Sequence, residues 1–437
     1  MGEKPDTAIR SVRGRRLWDS RGRPTVEAEV TLAGGARGRA IAPAGASRGS
    51  NEAIDLRDGG PRFGGLDVRA ALGRVNGPIH TALAGLDAAD QEAVDARLVD
   101  CDGSADKSRL GGNAMVAVSL ATLHAAAAAN GVPMWRHLAG SGPVALPLPE
   151  IQILGGGAHA GGRVDIQDFM VAAPGAGSFT EALDITAEIY AEAGRMLAAD
   201  GRGYGVADEG GWWPAFDSNE AALEFLVRAI EAAGFTPGDN VGIALDIAAS
   251  EFGADGRYRL ALDGRDMDSD GMIELLLDWL ERYPILSLED PLAEDDWQGM
   301  TAFTKAAGDK VQIVGDDFIT TDAKRLAAAA EAGAGNAVLI KPNQIGTVSE
   351  AKAALDAARA AGWGAIISAR SGETEDVSVA HLAVGWRVGQ LKVGSFARSE
   401  RMAKWNECLR IEEELGDDGG FTGGLPYQAT QWGRRQP

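Results

Sequence analysis

The chain has 437 residues, with 42 basic against 63 acidic side chains and a formal net charge of −21. A chain this acidic repels a phosphate backbone, which excludes general nucleic-acid binding. A hydrophobic fraction of 45% excludes a disordered or collagen-like polymer, and two cysteines, Cys101 and Cys408, exclude a disulfide-stapled scaffold and fit a reducing compartment. Lys4, Arg10, Arg13, Arg15 and Arg16 fill the N-terminal stretch, where a signal peptide would place an apolar core. No segment reaches the roughly 18 uncharged apolar residues of a transmembrane span. The expectation is a soluble, cytoplasmic protein without a membrane partner, whose surplus of carboxylates suits an enzyme that holds hard cations.

In chain order, residues 25–32 (TVEAEVTL) and 36–42 alternate as two antiparallel strands joined at Gly34-Gly35. Alanine-rich amphipathic stretches follow at 68–84, 90–98, 113–129 and 134–138, so strands precede helices in an α+β pattern. Three prolines crowd residues 143–149, which sets domains at 1–143 and 144–437. Beyond them, apolar runs end at Asp246, Glu289, Asp316, Lys341, Arg370 and Lys392, spaced 43, 27, 25, 29 and 22 residues apart. Four of these five spacings suit one strand plus one helix, which predicts a modified α/β barrel resembling a TIM barrel. Polar residues at the C-terminal ends of barrel strands face the active-site mouth.

Asp246, Glu289 and Asp316 then converge from three successive strands, an all-oxygen set suited to Mg²⁺. Lys341 and Lys392 follow. A lysine beside a cation and a second lysine has its charged form disfavoured, which makes either one a candidate base. The turn VADEGGWWP (206–214) carries Asp208 and Glu209, and LGGGAHAGG (154–162) reads as a flexible loop presenting His159. The glycines of that loop match a dinucleotide fingerprint only in part and lack a βαβ frame. Gly45-Ala46-Ser47-Arg48-Gly49 matches a nucleophile elbow, but too few residues precede it for a hydrolase sheet.

These segments, with DSRGRPTVE (19–27), PAGASRGSNEA (43–53), GGGAHAGGRVDIQDFM (155–170), LDIAASEF (245–252), SLEDPLAEDDW (287–297), VGDDF (314–318), LIKPNQIGT (339–347), SARSGETED (368–376) and ARSERMAKWNECLRIEEELG (397–416), resemble enolase over nearly the whole chain. The resemblance implies a small α+β domain followed by a barrel, a homodimer, and two Mg²⁺ per active site. It implies that Asp246, Glu289 and Asp316 hold the first ion, and that Ser47 helps to bind the second. Lys341 is the implied base for the proton α to the substrate carboxylate, and Glu209 the acid that helps hydroxide leave. Lys392 is then the partner of the substrate carboxylate and Arg370 and Ser371 of the phosphoryl group, with His159 and Asp168 lining the pocket.

The departures from the family pattern are specific. Alanine stands at Ala369 where the family carries histidine, and at Ala44 where it carries serine. Asp168 replaces glutamate, Gly155 replaces asparagine, and Arg48 replaces threonine. Four of the five shorten a side chain, and Arg48 adds a cation to the loop over the phosphoryl group. A pocket larger and more positive there is similar to the phosphonate branch of the family, the carboxyphosphonoenolpyruvate synthases of phosphinothricin-type antibiotic biosynthesis. In that branch 2-phosphonoformylglycerate loses water to give carboxyphosphonoenolpyruvate. The alternatives are an enolase acting on 2-phosphoglycerate and a non-catalytic structural or binding paralogue. Decay of the metal acids or of Lys341 would mark the paralogue, and all of them are present.

Overall fold

The protein is described by a computed structural model covering residues 6–203, 205–416 and 419–435. Three antiparallel strands open it: β1 (Ile9–Trp18), β2 (Pro24–Leu32) and β3 (Arg37–Ile41). The sequence reading contains β2 and β3 but not β1. Arginines occupy four of the ten β1 positions, which hides its alternation; Arg15 pairs with Glu27 and Glu29 on the neighbouring strand. The β1–β2 turn is built by Asp19, whose Oδ1 accepts the N–H groups of Arg21 and Arg23 at 2.9 and 2.8 Å.

Helices α1 (Gln91–Asp102) and α2 (Gly112–Ala129) belong to the same domain, and α2 packs across β2 and β3. Fifteen of the 18 residues of α2 are buried. By length and composition α2 could cross a membrane, yet it is the central core helix of this domain. Gly38 on β3 permits its approach, because a Cβ there would lie 2.2 Å from the Ala121 carbonyl oxygen. The single helix expected over 68–84 is instead interrupted by a wide π-helical turn at Val75–Ile79. Pro78 lies in that turn and, lacking an N–H, cannot continue the regular hydrogen-bond ladder.

The second half closes an eight-stranded barrel: β4 (Leu148–Gly155), β5 (Asp168–Ala172), β6 (Gly242–Asp246), β7 (Ile285–Glu289), β8 (Gln312–Gly315), β9 (Ala337–Ile340), β10 (Gly364–Ser368) and β11 (Gln390–Gly394). Seven strands run parallel, while β5 is antiparallel to both its neighbours. Its reversal places its first residue, Asp168, in register with the last residue of β6, Asp246. Strands β4 and β5 do not appear in the sequence rhythm, because a hairpin rather than a helix joins them.

The barrel floor is polar. Tyr427, fully buried in the C-terminal segment, donates to Glu150 Oε1 at 2.9 Å, and Gln390 Nε2 donates to the same oxygen at 2.6 Å. Burial pushes the Glu150 carboxyl above its usual range despite these bonds and the nearby Lys392.

The two domains meet through histidines. His124 on α2 lies 2.9 Å from the Ser378 hydroxyl and edge-on to His381, with ring centroids 6.2 Å apart. His381 belongs to the helix Ser378–Gly385, which packs against the helix Met134–Ala139, and its Nε2 is 3.4 Å from Glu407. Burial pushes the His381 imidazole down to about 4, with Glu407 opposing and His124 assisting. The unfolded chain binds a proton there more readily than the folded one, so this stability is present above the ordinary histidine pKa and is lost as pH falls from about 6.5 to 4. The loss is up to about 3 kcal/mol. Urea unfolding at pH 7 and pH 4.5 should show a smaller acid loss in His381→Leu than in the parent, by about 2 kcal/mol.

Candidate active site

The mouth of the barrel is assembled from strand ends. Asp246 and Glu289 are the last residues of β6 and β7, Asp316 and Lys341 follow β8 and β9 directly, and Ala369, Arg370 and Ser371 follow β10. Lys392 sits in the middle of β11, in register with Ser368 on one side and Glu150 on the other. All of these side chains are buried. Together with Glu52, Asp168, Glu209, Asp290 and Asp317, the mouth gathers eight buried carboxyl groups against three cationic side chains and His159.

The lysines lie among those acids. Lys392 Nζ donates to Asp246 Oδ2 at 2.8 Å and Glu289 Oε2 at 2.7 Å, and lies 3.4 Å from Asp168 Oδ2. Lys341 Nζ donates to Asp316 Oδ2. Sequence reasoning expects a lysine pKa that falls beside a bound cation; among the carboxylates alone, both lysines are held up. Burial pulls each lysine down, but Asp246 and Glu289 around Lys392, and Asp316 beside Lys341, outweigh it and hold both above the ordinary range. The acids respond unequally. Burial and the neighbouring Asp246 push Glu289 well up against the pull of Lys392, whereas Lys341 and Arg370 overcome burial and draw Asp316 down.

Glutamines and a second row of acids set the orientations. Gln167 donates to Asp246 Oδ2 at 3.0 Å, Gln344 to Asp316 Oδ1 at 2.8 Å, and Gln152 to Asp168. Asp290 adopts a positive φ of 39° and accepts the backbone N–H groups of Asp316 and Asp317 at 2.8 and 2.7 Å. It thereby fixes the loop that carries Asp316. Burial, Asp317 and Asp316 push the Asp290 carboxyl well up.

On the opposite side, His159 is buried in a single helical turn, within the segment that sequence reasoning reads as a flexible loop. Its Nδ1 is 3.3 Å from Asp168 Oδ1 and its Nε2 is 3.7 Å from Glu209 Oε1. Burial works against the imidazolium, but Glu209 and Asp168 outweigh it and raise the pKa. The Glu209 turn is pinned from two directions: Asp208 N–H donates to the His159 carbonyl, and Ser395 N–H to that of Glu209 at 2.8 Å.

The loop over residues 43–53 completes the mouth. Ala44 exchanges backbone hydrogen bonds with Gly372, and the Ser47 carbonyl accepts from Arg370 Nη2 at 3.1 Å. Arg370 also grips Glu52 through both Nη atoms, at 2.9 and 3.0 Å. Arg48 is turned outward and donates to the Ala53 carbonyl at 2.9 Å, with its Nε 3.8 Å from Glu52. Ser371 receives Arg21 at its hydroxyl, and Ala369 is buried with its N–H on the Lys392 carbonyl.

Residues 9–138 match the family description "Enolase, N-terminal domain", and residues 143–429 match "Enolase, C-terminal TIM barrel domain". The chain belongs to the enolase family. It is an enolase-family lyase, and the family's metal is Mg²⁺. The donor set fits that ion. Hard oxygen ligands dominate, Glu289 Oε1 is buried with no partner, and the carboxyl groups exceed the cations present. Among the described residues two groups bring a ligand atom from every member within 4.8 Å, His159–Asp168–Glu209 and Asp290–Asp316–Asp317; the predicted trio Asp246, Glu289 and Asp316 shares only Asp316 with them.

Glu52, Gln152, Gln167, Asp290, Asp317 and Gln344 are site residues to which sequence reasoning assigns no role. Four of them stand beside assigned residues in its motifs: Asp290 after Glu289, Asp317 after Asp316, Gln167 before Asp168, and Gln344 three places past Lys341. Asp290→Ala leaves two buried N–H groups unpaired, whereas Asp290→Asn keeps an acceptor. The alanine variant should be less stable than the asparagine variant by about 1–3 kcal/mol in urea unfolding, with weaker Mg²⁺ binding by calorimetry.

Proposed function

We propose that this enolase-family lyase removes water from 2-phosphonoformylglycerate to give carboxyphosphonoenolpyruvate. The observation that carries this reading is the wall around Arg370 and Ser371. Two of its positions, Ala44 paired with Gly372 and Ala369 next to Arg370, carry only a methyl group, while the acids and lysines expected of the family stand intact below. A phosphonoformyl group needs more room than a phosphate at that place and carries one carboxylate more.

In this reading Asp246, Glu289 and Asp316 would hold Mg²⁺, with Ser47 contributing to a second ion. Bound there, Mg²⁺ supplies positive charge that stabilises the enolate dianion of the substrate carboxylate. Lys341 takes the proton α to the carboxylate, and the electron pair of that C–H bond moves into the carboxylate. Lys341 must be neutral to do so. Committing Asp316 to a cation withdraws the support that keeps Lys341 charged, and burial then lowers its pKa toward the working range. The electron pair returns to form the C=C bond as hydroxide leaves, with Glu209 donating the proton that makes it water. Lys392 neutralises the carboxylate, Arg370 and Ser371 hold the phosphonate end, and His159 and Asp168 set the position of Glu209.

The magnitudes favour this division of labour. Proton transfer by positioned groups contributes about 10²–10⁴-fold, or about 3–5 kcal/mol, against the roughly 8–23 kcal/mol that enzymes supply in all. Charge stabilisation must supply most of the rest. A second reading, an enolase acting on 2-phosphoglycerate, is favoured by the outward position of Arg48, whose guanidinium is engaged by Ala53 rather than free over the phosphoryl site.

Steady-state kinetics with Mg²⁺ on both substrates separates the two. A large kcat/KM preference for 2-phosphonoformylglycerate is expected, and a preference for 2-phosphoglycerate overturns the assignment. With the preferred substrate, Lys341→Ala should lower kcat by about 10²–10⁴-fold with the fold intact by circular dichroism. Arg48→Thr should raise KM for the phosphonoformyl substrate selectively, and equal losses for both substrates would remove Arg48 from substrate recognition.

A further inference from the structure

The three cations that follow from the barrel strands each already have a carboxylate. Lys392 is bound to Asp246 and Glu289, Lys341 to Asp316, and Arg370 to Glu52. The first two pairings involve the acids assigned to the metal. Glu52 is different: it comes from the N-terminal domain, is buried, and engages both Nη atoms of Arg370 in a two-pronged pair. The remaining contacts of its carboxylate are the Gly49 N–H at 3.2 Å, Gln344 Nε2 at 3.4 Å and Arg48 Nε at 3.8 Å. Gln344 in turn holds Asp316.

An anion approaching Arg370 therefore meets a cation whose charge is already cancelled by Glu52. It also meets the negative field of Asp316 and Asp317 nearby. A multiply charged anion gains little from such a site until positive charge is added. We propose that Glu52 makes anion capture at Arg370 conditional on bound divalent cation, so that the phosphoryl or phosphonyl end of a substrate is accepted only at a metal-loaded site. This rests on the reading of Arg370 as the anion-holding residue. Its consequence is specific: Glu52 is the carboxylate seated directly on both Nη atoms of Arg370, so removing its charge alone lets the protein take up phosphate without a divalent cation.

The test uses inorganic phosphate as probe, with binding read by calorimetry or phosphorus NMR line broadening on the full chain, in EDTA and in Mg²⁺. The parent should bind phosphate at least about tenfold more weakly in EDTA than in Mg²⁺. Glu52→Gln removes the charge while keeping a hydrogen-bonding side chain of the same shape. In EDTA it should bind phosphate at least about tenfold more tightly than the parent does. Glu52→Asp keeps the charge and should stay as metal-dependent as the parent. Thermal melting establishes that each variant is folded, and Glu52→Ser serves the same comparison where the amide does not fold. Phosphate binding in EDTA no tighter in the charge-removed variant than in the parent overturns the proposal. So does a Glu52→Asp variant that gains metal-independent binding. Arg370→Gln in Mg²⁺ locates any failure. If that variant loses phosphate binding, Arg370 holds the anion and only the role of Glu52 falls; if it binds like the parent, the underlying reading of Arg370 falls as well.

Discussion

The rest of the structure depends on a charge imbalance that the barrel mouth cannot relieve by itself. Eight carboxyl groups are buried there with three cationic side chains and one histidine. Taking unpaired charge out of water costs several kcal/mol per ion, so such a cluster persists only if each group is paired, protonated or bound to a cation. The metal-free protein uses the first two routes. Lys392 bridges Asp246 and Glu289, Lys341 takes Asp316, and Arg370 takes Glu52, while the Glu289, Asp290 and Asp317 carboxyls are pushed toward their neutral forms. The carboxyl groups still outnumber the cationic side chains, and that excess is the composition a divalent cation complements.

Backbone topology makes that concentration of charge possible. A barrel of parallel strands delivers polar groups to its mouth only from strand ends. Reversing β5 lets the first residue of a strand reach the same layer, and Asp168 arrives beside Asp246 through that device. It stands against Lys392 on one side and His159 on the other, linking the carboxylates around Lys392 to Glu209. The hairpin that produces the reversal also carries Gly155 and His159, so one local change of direction supplies a whole wall of the site.

How much of this was legible in the sequence followed from chemistry more than from propensity. The six later barrel strands announce themselves because each is a short apolar run closed by a charged residue, and their ends are the site. Strand β1 is hidden by its arginines, and β4 and β5 by the absence of an intervening helix. Asp290, Gln344 and Glu52 act through backbone N–H groups, other side chains or a different domain, relations that only the closed barrel brings into contact. The charge state of the lysines is hidden for the same reason: two lysines in a sequence do not reveal how many carboxyl groups surround them in the closed barrel.

The same electrostatics bears on how such a site tells substrates apart. Small side chains at Ala44 and Ala369 leave space, but space alone does not expel a smaller group. Discrimination by lost packing alone is worth about 1–3 kcal/mol. Strong selection needs a group left unpaired by the wrong substrate, since a buried charge without its partner is far more costly than a void. Arg370 is bound to Glu52, and Arg48 stands 3.8 Å from the same carboxylate. Any anion at the mouth competes with Glu52 for Arg370, while Arg48, turned outward onto the Ala53 carbonyl, holds Glu52 only from the far side. On this argument, selection among anions at the mouth turns on how readily each displaces Glu52 from Arg370, more than on the room beside Ala44 and Ala369.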